Sequence, residues 1–230
     1  MDKIRNGEAE LRGEEARHLT RVLRVEPGQR FEISDNGSVY LAEIADARGD
    51  RVVFRIQEPI ESPPPPVRIT LCAALIKFDR FEWIVEKATE LGVERILPVE
   101  TARAEKGLSE ASRKRSERWE RIARESSQQS RRARLPEILP AARFEASLAT
   151  EAGVRYFLEE APGPPPLLRA LPERLDTAAL LLGPEGGWTD GERELARAAG
   201  WTAVSLGPQV LRAETAAIAA IAVLLGAALR

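Results

Sequence analysis

The chain has 230 residues, 34 Lys and Arg against 36 Asp and Glu, and a formal net charge of −2. That balance argues against non-specific polyanion binding by the protein as a whole, and its 43% hydrophobic content leaves room for a proper core. One cysteine and one histidine exclude a disulfide framework and leave no strong zinc or copper ligand set, so no metal and a reducing compartment are expected.

The start shows no charged n-region followed by an apolar h-region. The longest uncharged apolar segment, Thr215 to Leu229, falls short of the roughly 18 to 20 residues of a membrane span. A cytoplasmic protein with no membrane partner is the expectation.

In chain order, a helix is predicted from about Glu14 to Arg24, with Arg17, His18, Arg21 and Arg24 at helical spacings as candidate RNA contacts. Alternating β-rich runs follow at Gln29 to Ser34, Val39 to Ala45 and Arg51 to Gln57, punctuated by Asp35-Asn36-Gly37 and Arg48-Gly49-Asp50. They predict a small barrel-like β domain over residues 1–61. Ser62 to Pro66 is a stiff polyproline spacer, and residues 67–230 form the second domain.

From there strands and helices alternate, the pattern of a parallel α/β sheet. Strand Val67 to Leu75 contains Cys72, read as a small buried hydrophobe. A helix from about Asp79 to Leu91 carries the apolar stripe Phe81, Ile84, Val85, Ala88 and Leu91 and ends at Gly92. Strand Arg95 to Val99 leads to a polar helix from about Glu110 to Ser130. Between Arg103 and Arg134 there are 11 Lys and Arg against 5 Asp and Glu, either a solvated face or a phosphate-tracking surface ending in Arg131, Arg132 and Arg134. Strand Val154 to Glu159 and a proline loop, Pro162 to Pro166, come next.

Two glycine-proline loops then each follow a short apolar strand: Gly183-Pro184-Glu185-Gly186-Gly187 after Ala178 to Leu182, and Gly207-Pro208 after Ala203 to Leu206. Open parallel sheets bind ligands at such strand ends, so the loops are expected to face one another across a small-molecule pocket. The first loop lacks the Lys-Ser/Thr of a Walker A motif and the GxGxxG of a dinucleotide fold, and it lies late in the chain. Thr189 and Glu192 have capping-box spacing and open a helix to about Ala199. Arg212 and Glu214 head a closing helix that is apolar nearly all round and must be covered by the sheet or by another subunit. Arg212 suits stabilisation of negative charge; the same two residues also suit a plain ion pair, with Glu214 favoured by the helix dipole.

These segments resemble the RsmE-type 16S rRNA uridine-N3 methyltransferases of the SPOUT, or trefoil-knot, superfamily. The resemblance rests on HLTRVLRVEPGQRFEISD from His18, LIKFDRFEWIVEKATELGVERILPV from Leu75, ESSQQSRRARLPEI from Glu125, LLLGPEGGWTDGE from Leu180 and SLGPQVLRAETAAIAA from Ser205. It spans nearly the whole chain in order, and its last two motifs are the most specific. It implies a PUA-like RNA-binding barrel, a knotted α/β domain binding S-adenosylmethionine, and a homodimer acting on 16S rRNA of the small ribosomal subunit. A related enzyme acting on tRNA and a non-catalytic ribosome-assembly factor are the rival readings.

Carried onto this chain, the cofactor lies against Leu158, Leu182 to Gly187, Leu206, Gly207, Pro208, Leu211 and Thr215. Arg212 stabilises charge on the uracil, Glu214 is a weaker candidate for proton acceptor, and Lys77, Arg131, Arg132 and Arg134 join the RNA contacts. The chain departs from the family pattern at its opening Met1-Asp2-Lys3-Ile4, where an Arg-Arg-Phe-like strand is usual. Phe78 and Arg131 stand at usual glycine positions.

Overall fold

The computed structural model describes residues 4–230. Met1 to Lys3, part of the atypical start, lie outside the described residues. The chain divides into two compact units, one ending at Pro64 and one beginning at Pro65.

The first unit contains β1 (Glu8–Arg12), α1 (Glu14–Arg17), β2 (Arg30–Ser34), β3 (Val39–Arg48) and β4 (Arg51–Ile60). The strands form one antiparallel sheet in the order β1-β4-β3-β2. Ala9, Ala16, Val25, Ile33, Ala42, Ile44, Val52 and Phe54 make its core. β1 is a strand that alternation alone did not reveal, since EAELR carries only two apolar residues. The helix predicted to run to Arg24 is α-helical only to Arg17 and continues as a π-helical turn, His18–Val22, closed by the Leu23 amide donating to the His18 carbonyl. Within it the Thr20 hydroxyl donates to Gly49 of the β3–β4 turn at 2.6 Å, a tertiary contact invisible to helical spacing.

The second unit contains β5 (Arg68–Ala74), α2 (Phe78–Glu90), β6 (Arg95–Glu100), α3 (Leu108–Ser112), α4 (Ser116–Gln129), β7 (Glu137–Ile138), β8 (Ala142–Arg143) and α5 (Phe144–Ser147). It continues with β9 (Val154–Leu158), α6 (Leu167–Ala170), β10 (Thr177–Leu182), α7 (Asp190–Ala198), β11 (Thr202–Val204) and α8 (Ala213–Ala228). Every pairing in its seven-stranded sheet is parallel, in the order β11-β9-β10-β5-β6-β7, with β8 also pairing β6. The mixed α/β class read from the pattern is the one found.

Both faces of this sheet are covered, which is why its central strands are continuously apolar. Ile69, Leu71 and Ala73 of β5 and Ala178, Leu180 and Leu182 of β10 pack into a cluster with Phe81, Trp119 and Ile221 of α2, α4 and α8. Cys72, Ala179 and Leu181 point the other way, among Phe144, Trp188 and Ala196. Burial pushes the Cys72 thiol up to about 11, so it behaves as an inert small hydrophobe.

The single basic helix expected from about Glu110 to Ser130 is instead three pieces: α3, a 3₁₀ turn at Arg113–Arg115, and α4. Arg115 and Arg118 turn back to Glu82 on α2, with 2.7 Å between Arg118 Nε and the carboxylate. Arg115 also lies over Phe78, whose ring meets Trp119 edge-on. Tertiary pairing therefore uses part of the basic run that spacing alone suggests as an open phosphate track.

Arg132 is engaged in the same way. Its guanidinium donates to the Thr89 carbonyl at 2.7 Å and to the Val93 carbonyl at 3.0 Å, clasping the end of α2 to the turn that follows it. Burial lowers its pKa. It acts as a structural clamp on this turn. Arg131 stays exposed and holds φ +55°, a left-handed conformation that accounts for the usual glycine there.

Candidate active site

The sheet's order places β9 between β11 and β10, so the chain leaving these three strands converges at one edge. Leu158 ends β9, Leu182 ends β10 and Val204 ends β11. The segments that follow enclose a pocket of about 380 Å³, within the range of small-molecule sites.

Of the residues singled out from sequence, Leu158, Leu182, Gly183, Pro184, Glu185 and Gly187 line it from one side. Leu206, Gly207, Leu211 and Arg212 line it from the other. Gly186 and Pro208 belong to the same loops, and Thr215 to the first turn of α8, but none of the three is in the lining. Glu214 is also outside the lining: it is the second residue of α8, 6% exposed, and its Oε2 has no hydrogen-bond partner among the described residues. Arg212 stands at the N-cap of α8 and is exposed, and the alternative Arg212–Glu214 ion pair is not formed.

Two glycines of the first loop, Gly183 and Gly187, stand where a side chain would be disfavoured. A Cβ at Gly183 would sit 2.9 Å from Cε2 of Trp188. At Gly187, φ is +67° and a Cβ would come within 2.5 Å of Glu160 Oε1. Trp188 is 2% exposed; its indole N–H donates to the Leu158 carbonyl at 2.8 Å, tying this loop to the end of β9. Arg103 braces the loop from the β6 side, donating to the Gly186 carbonyl at 2.7 Å.

The predicted capping box is present. The Glu192 amide donates to the Thr189 hydroxyl, and the Thr189 amide donates to Glu192 Oε2. Glu192 Oε1 additionally accepts from the Ala102 amide at 2.8 Å, which fastens the start of α7 to the β6 loop. The site is thus held by residues some ninety positions apart.

Pattern reasoning missed Arg80, Glu159, Glu160 and Trp188 as pocket residues. Arg80 reaches from α2 to pair with Glu185, a contact across a hundred residues with no local signature. Glu159 and Glu160 did carry one: two acids directly after an apolar strand in a parallel sheet.

Glu159 is engaged by Arg193 of α7, with Nε 2.6 Å from Oε2 and Nη2 3.2 Å from Oε1. Burial by itself favours its protonated form, but the Arg193 hydrogen bonds and the Ala161 amide outweigh it and hold the carboxyl below the usual glutamate value of 4.5. The folded state therefore binds this proton less readily than the unfolded state. The stabilisation is present above pH 4.5 and is lost as pH falls through the lower folded value. Urea denaturation should show Glu159→Gln flattening the acid limb of the stability profile; an acid limb identical to wild type would remove the assignment.

Among the described residues no cluster of His, Cys, Asp and Glu is arranged to hold a metal ion, and no helix is long and apolar enough to cross a membrane.

A family model described as an RNA methyltransferase domain matches residues 63–225, and one described as an RNA methyltransferase PUA domain matches residues 11–57. Fold and matched domains together define the class: an RNA methyltransferase domain preceded by a PUA domain. A Bacillus subtilis ribosomal RNA small subunit methyltransferase E is 30% identical over 222 residues, covering 92% of this chain and 87% of the relative. The Aquifex aeolicus protein of that name is 31% identical, covering 94% and 93%. A Neisseria gonorrhoeae ribosomal RNA small subunit methyltransferase E, solved bound to S-adenosylmethionine, superposes with a TM-score of 0.87 at 29% identity, covering 96% of this chain and 93% of that one. The chain belongs to the ribosomal RNA small subunit methyltransferase E family.

Proposed function

We propose that this protein uses S-adenosylmethionine to methylate N3 of a uridine in the 16S rRNA of the small ribosomal subunit. The observation that carries the reading is the pocket between two glycine-proline loops at the C-terminal edge of a parallel sheet. Its fit to the cofactor is supported by glycines at 183 and 187, where any side chain would collide with the pocket's own walls. Relatives named for small-subunit rRNA, and the S-adenosylmethionine bound in the Neisseria structure, support the substrate and the cofactor.

Leu158, Leu182 to Gly187, Leu206, Gly207 and Leu211 would hold the cofactor, whose sulfonium supplies an activated methyl group. This chain's residues must do the rest. Uracil N3 carries a proton at neutral pH, so the site has to favour the deprotonated base. Arg212, at the mouth and free of any ion pair among the described residues, is placed to neutralise charge on the uracil carbonyl oxygens. Glu214 lies outside the pocket lining, and we assign it to the favourable N-terminal end of α8 rather than to proton transfer.

Exposed polar and basic side chains supply the RNA contacts in this reading: His18, Arg21 and Arg24, with the half-buried Arg17, in the first unit, and Lys77, Arg131 and Arg134 in the second. The domain limits follow as 1–61, a spacer at 62–66, and 67–230. The late, adjacent positions of the two loops agree with a trefoil knot. Exposed Ala222 on α8 and Leu229 just after it agree with a homodimer, which a single-protomer mass in sedimentation equilibrium would exclude. A cytoplasmic location goes with this substrate.

The decisive experiment is transfer of tritiated methyl groups to small ribosomal subunits lacking the modification. Incorporation mapped to N3 of one uridine is expected. Label appearing in tRNA instead, or no label from protein that binds the cofactor, would overturn the reading.

A further inference from the structure

Five charged side chains line the pocket: Arg80, Glu159, Glu160, Glu185 and Arg212. Two carboxylates are already used, Glu185 by Arg80 and Glu159 by Arg193. Among the described residues, Glu160 is the lining carboxylate with no ion pair and no side-chain hydrogen bond. An ionised carboxylate only accepts hydrogen bonds and has two oxygens to do it with. Whatever occupies the pocket meets an acceptor with unused capacity.

Its place in the fold narrows the donor. Glu160 leaves the end of β9, the parallel neighbour of the strand β10 that feeds the glycine loop. In dinucleotide-binding sheets the glycine loop and an acid some twenty residues further on divide the work, the acid accepting from a ribose hydroxyl. Here the acid arises from an earlier strand, yet it reaches the same side of the loop. Its Oε1 lies 2.5 Å from where a Cβ at Gly187 would be, so the carboxylate occupies the space that glycine leaves open. Two adjacent hydroxyls on one sugar can donate to the two oxygens of one carboxylate, which suits a ribose diol.

We propose that Glu160 recognises the ribose diol of the adenosine group and so makes the pocket selective for a ribonucleoside over its 2′-deoxy counterpart. This rests on the S-adenosylmethionine reading of the same pocket. Gly187 acts with it as a positioning residue, since a side chain there displaces the carboxylate.

The test is calorimetric titration of the whole protein with S-adenosylhomocysteine and with its 2′-deoxyadenosyl analogue. Neither probe requires turnover. Hydrogen bonds to a charged acceptor predict about 10- to 100-fold tighter binding of the ribo compound by wild type. In Glu160→Ala the preference should collapse, with Glu160→Gln intermediate. Gly187→Ala should reduce it as well, and Glu160→Ala combined with Gly187→Ala should reduce it no further than Glu160→Ala alone. Equal binding of both probes by wild type would overturn the proposal. So would a Glu160→Ala protein that loses affinity equally for both, because the carboxylate would then serve another part of the ligand. Wild type that binds neither probe nor S-adenosylmethionine would instead overturn the cofactor reading, and this proposal with it.

Discussion

Arg212→Ala is expected to lower single-turnover methyl transfer by about 100- to 1,000-fold, the loss seen when one preorganised charge-stabilising group is removed. Binding of S-adenosylmethionine should change little, because the rest of the lining, from Leu158 and Glu160 through the 183–188 loop to Leu206 and Leu211, is left intact. The prediction depends on where Arg212 stands: exposed at the mouth, capping α8, and with no carboxylate partner among the described residues. An arginine held in an ion pair would give up that partner before it could serve the substrate; this one has none to lose. Arg212→Lys should recover only part of the rate, since an ammonium is a point charge without the planar fork of a guanidinium. A near-normal rate in Arg212→Ala, with normal cofactor affinity, would remove the charge-stabilising role.

The second large effect concerns Trp188. Its indole is 2% exposed, lies 5.5 Å from the Phe144 ring and 6.5 Å from the Phe157 ring between centroids, and donates to Leu158. Trp188→Ala should cost about 3–5 kcal/mol of stability in urea denaturation, through lost burial and an incompletely collapsed cavity. Trp188→Phe retains most of the apolar contact but strands the Leu158 carbonyl, at about 1–3 kcal/mol. Both changes should also weaken cofactor binding, because the indole joins the end of β9 to the loop after β10. An alanine variant within about 1 kcal/mol of wild type would show that the ring is not a structural keystone of the pocket.

Much of this architecture was legible in the chain. AALLL is too short for an independent helix and too apolar for a half-exposed strand, and it lies at the centre of the sheet as β10, 0–3% exposed from Ala178 to Leu182. The capping box at Thr189 and the apolar stripe of α2 follow from spacings of three and four residues, which a helix brings onto one face. The two late glycine-proline loops pointed to a pocket because a parallel sheet gathers its strand ends at one edge. Local chemistry determines these features, so local sequence reveals them.

The basic residues were different. Arg132 and Arg118 look alike in sequence to Arg131 and Arg121, yet one clasps the end of α2 and another answers Glu82 on a neighbouring helix. A long cation advertises its charge but not its partner, and its reach lets packing choose among several. The same holds for Arg80 with Glu185 and Arg103 with Gly186, pairs that no spacing rule connects.

By itself, then, the sequence determined the class of each unit, most of the strands and helices, and the two loops that form the pocket walls, because hydrophobic period, caps and turn residues act over a few positions. Only the tertiary structure decided which charges are used up and which remain free. It buried Glu214, left Arg212 and Glu160 at the pocket without an ion pair among the described residues, and placed Gly187 against a carboxylate from another strand. Those outcomes depend on distances between segments far apart in the chain, and such distances exist only once the sheet has set the order of its strands.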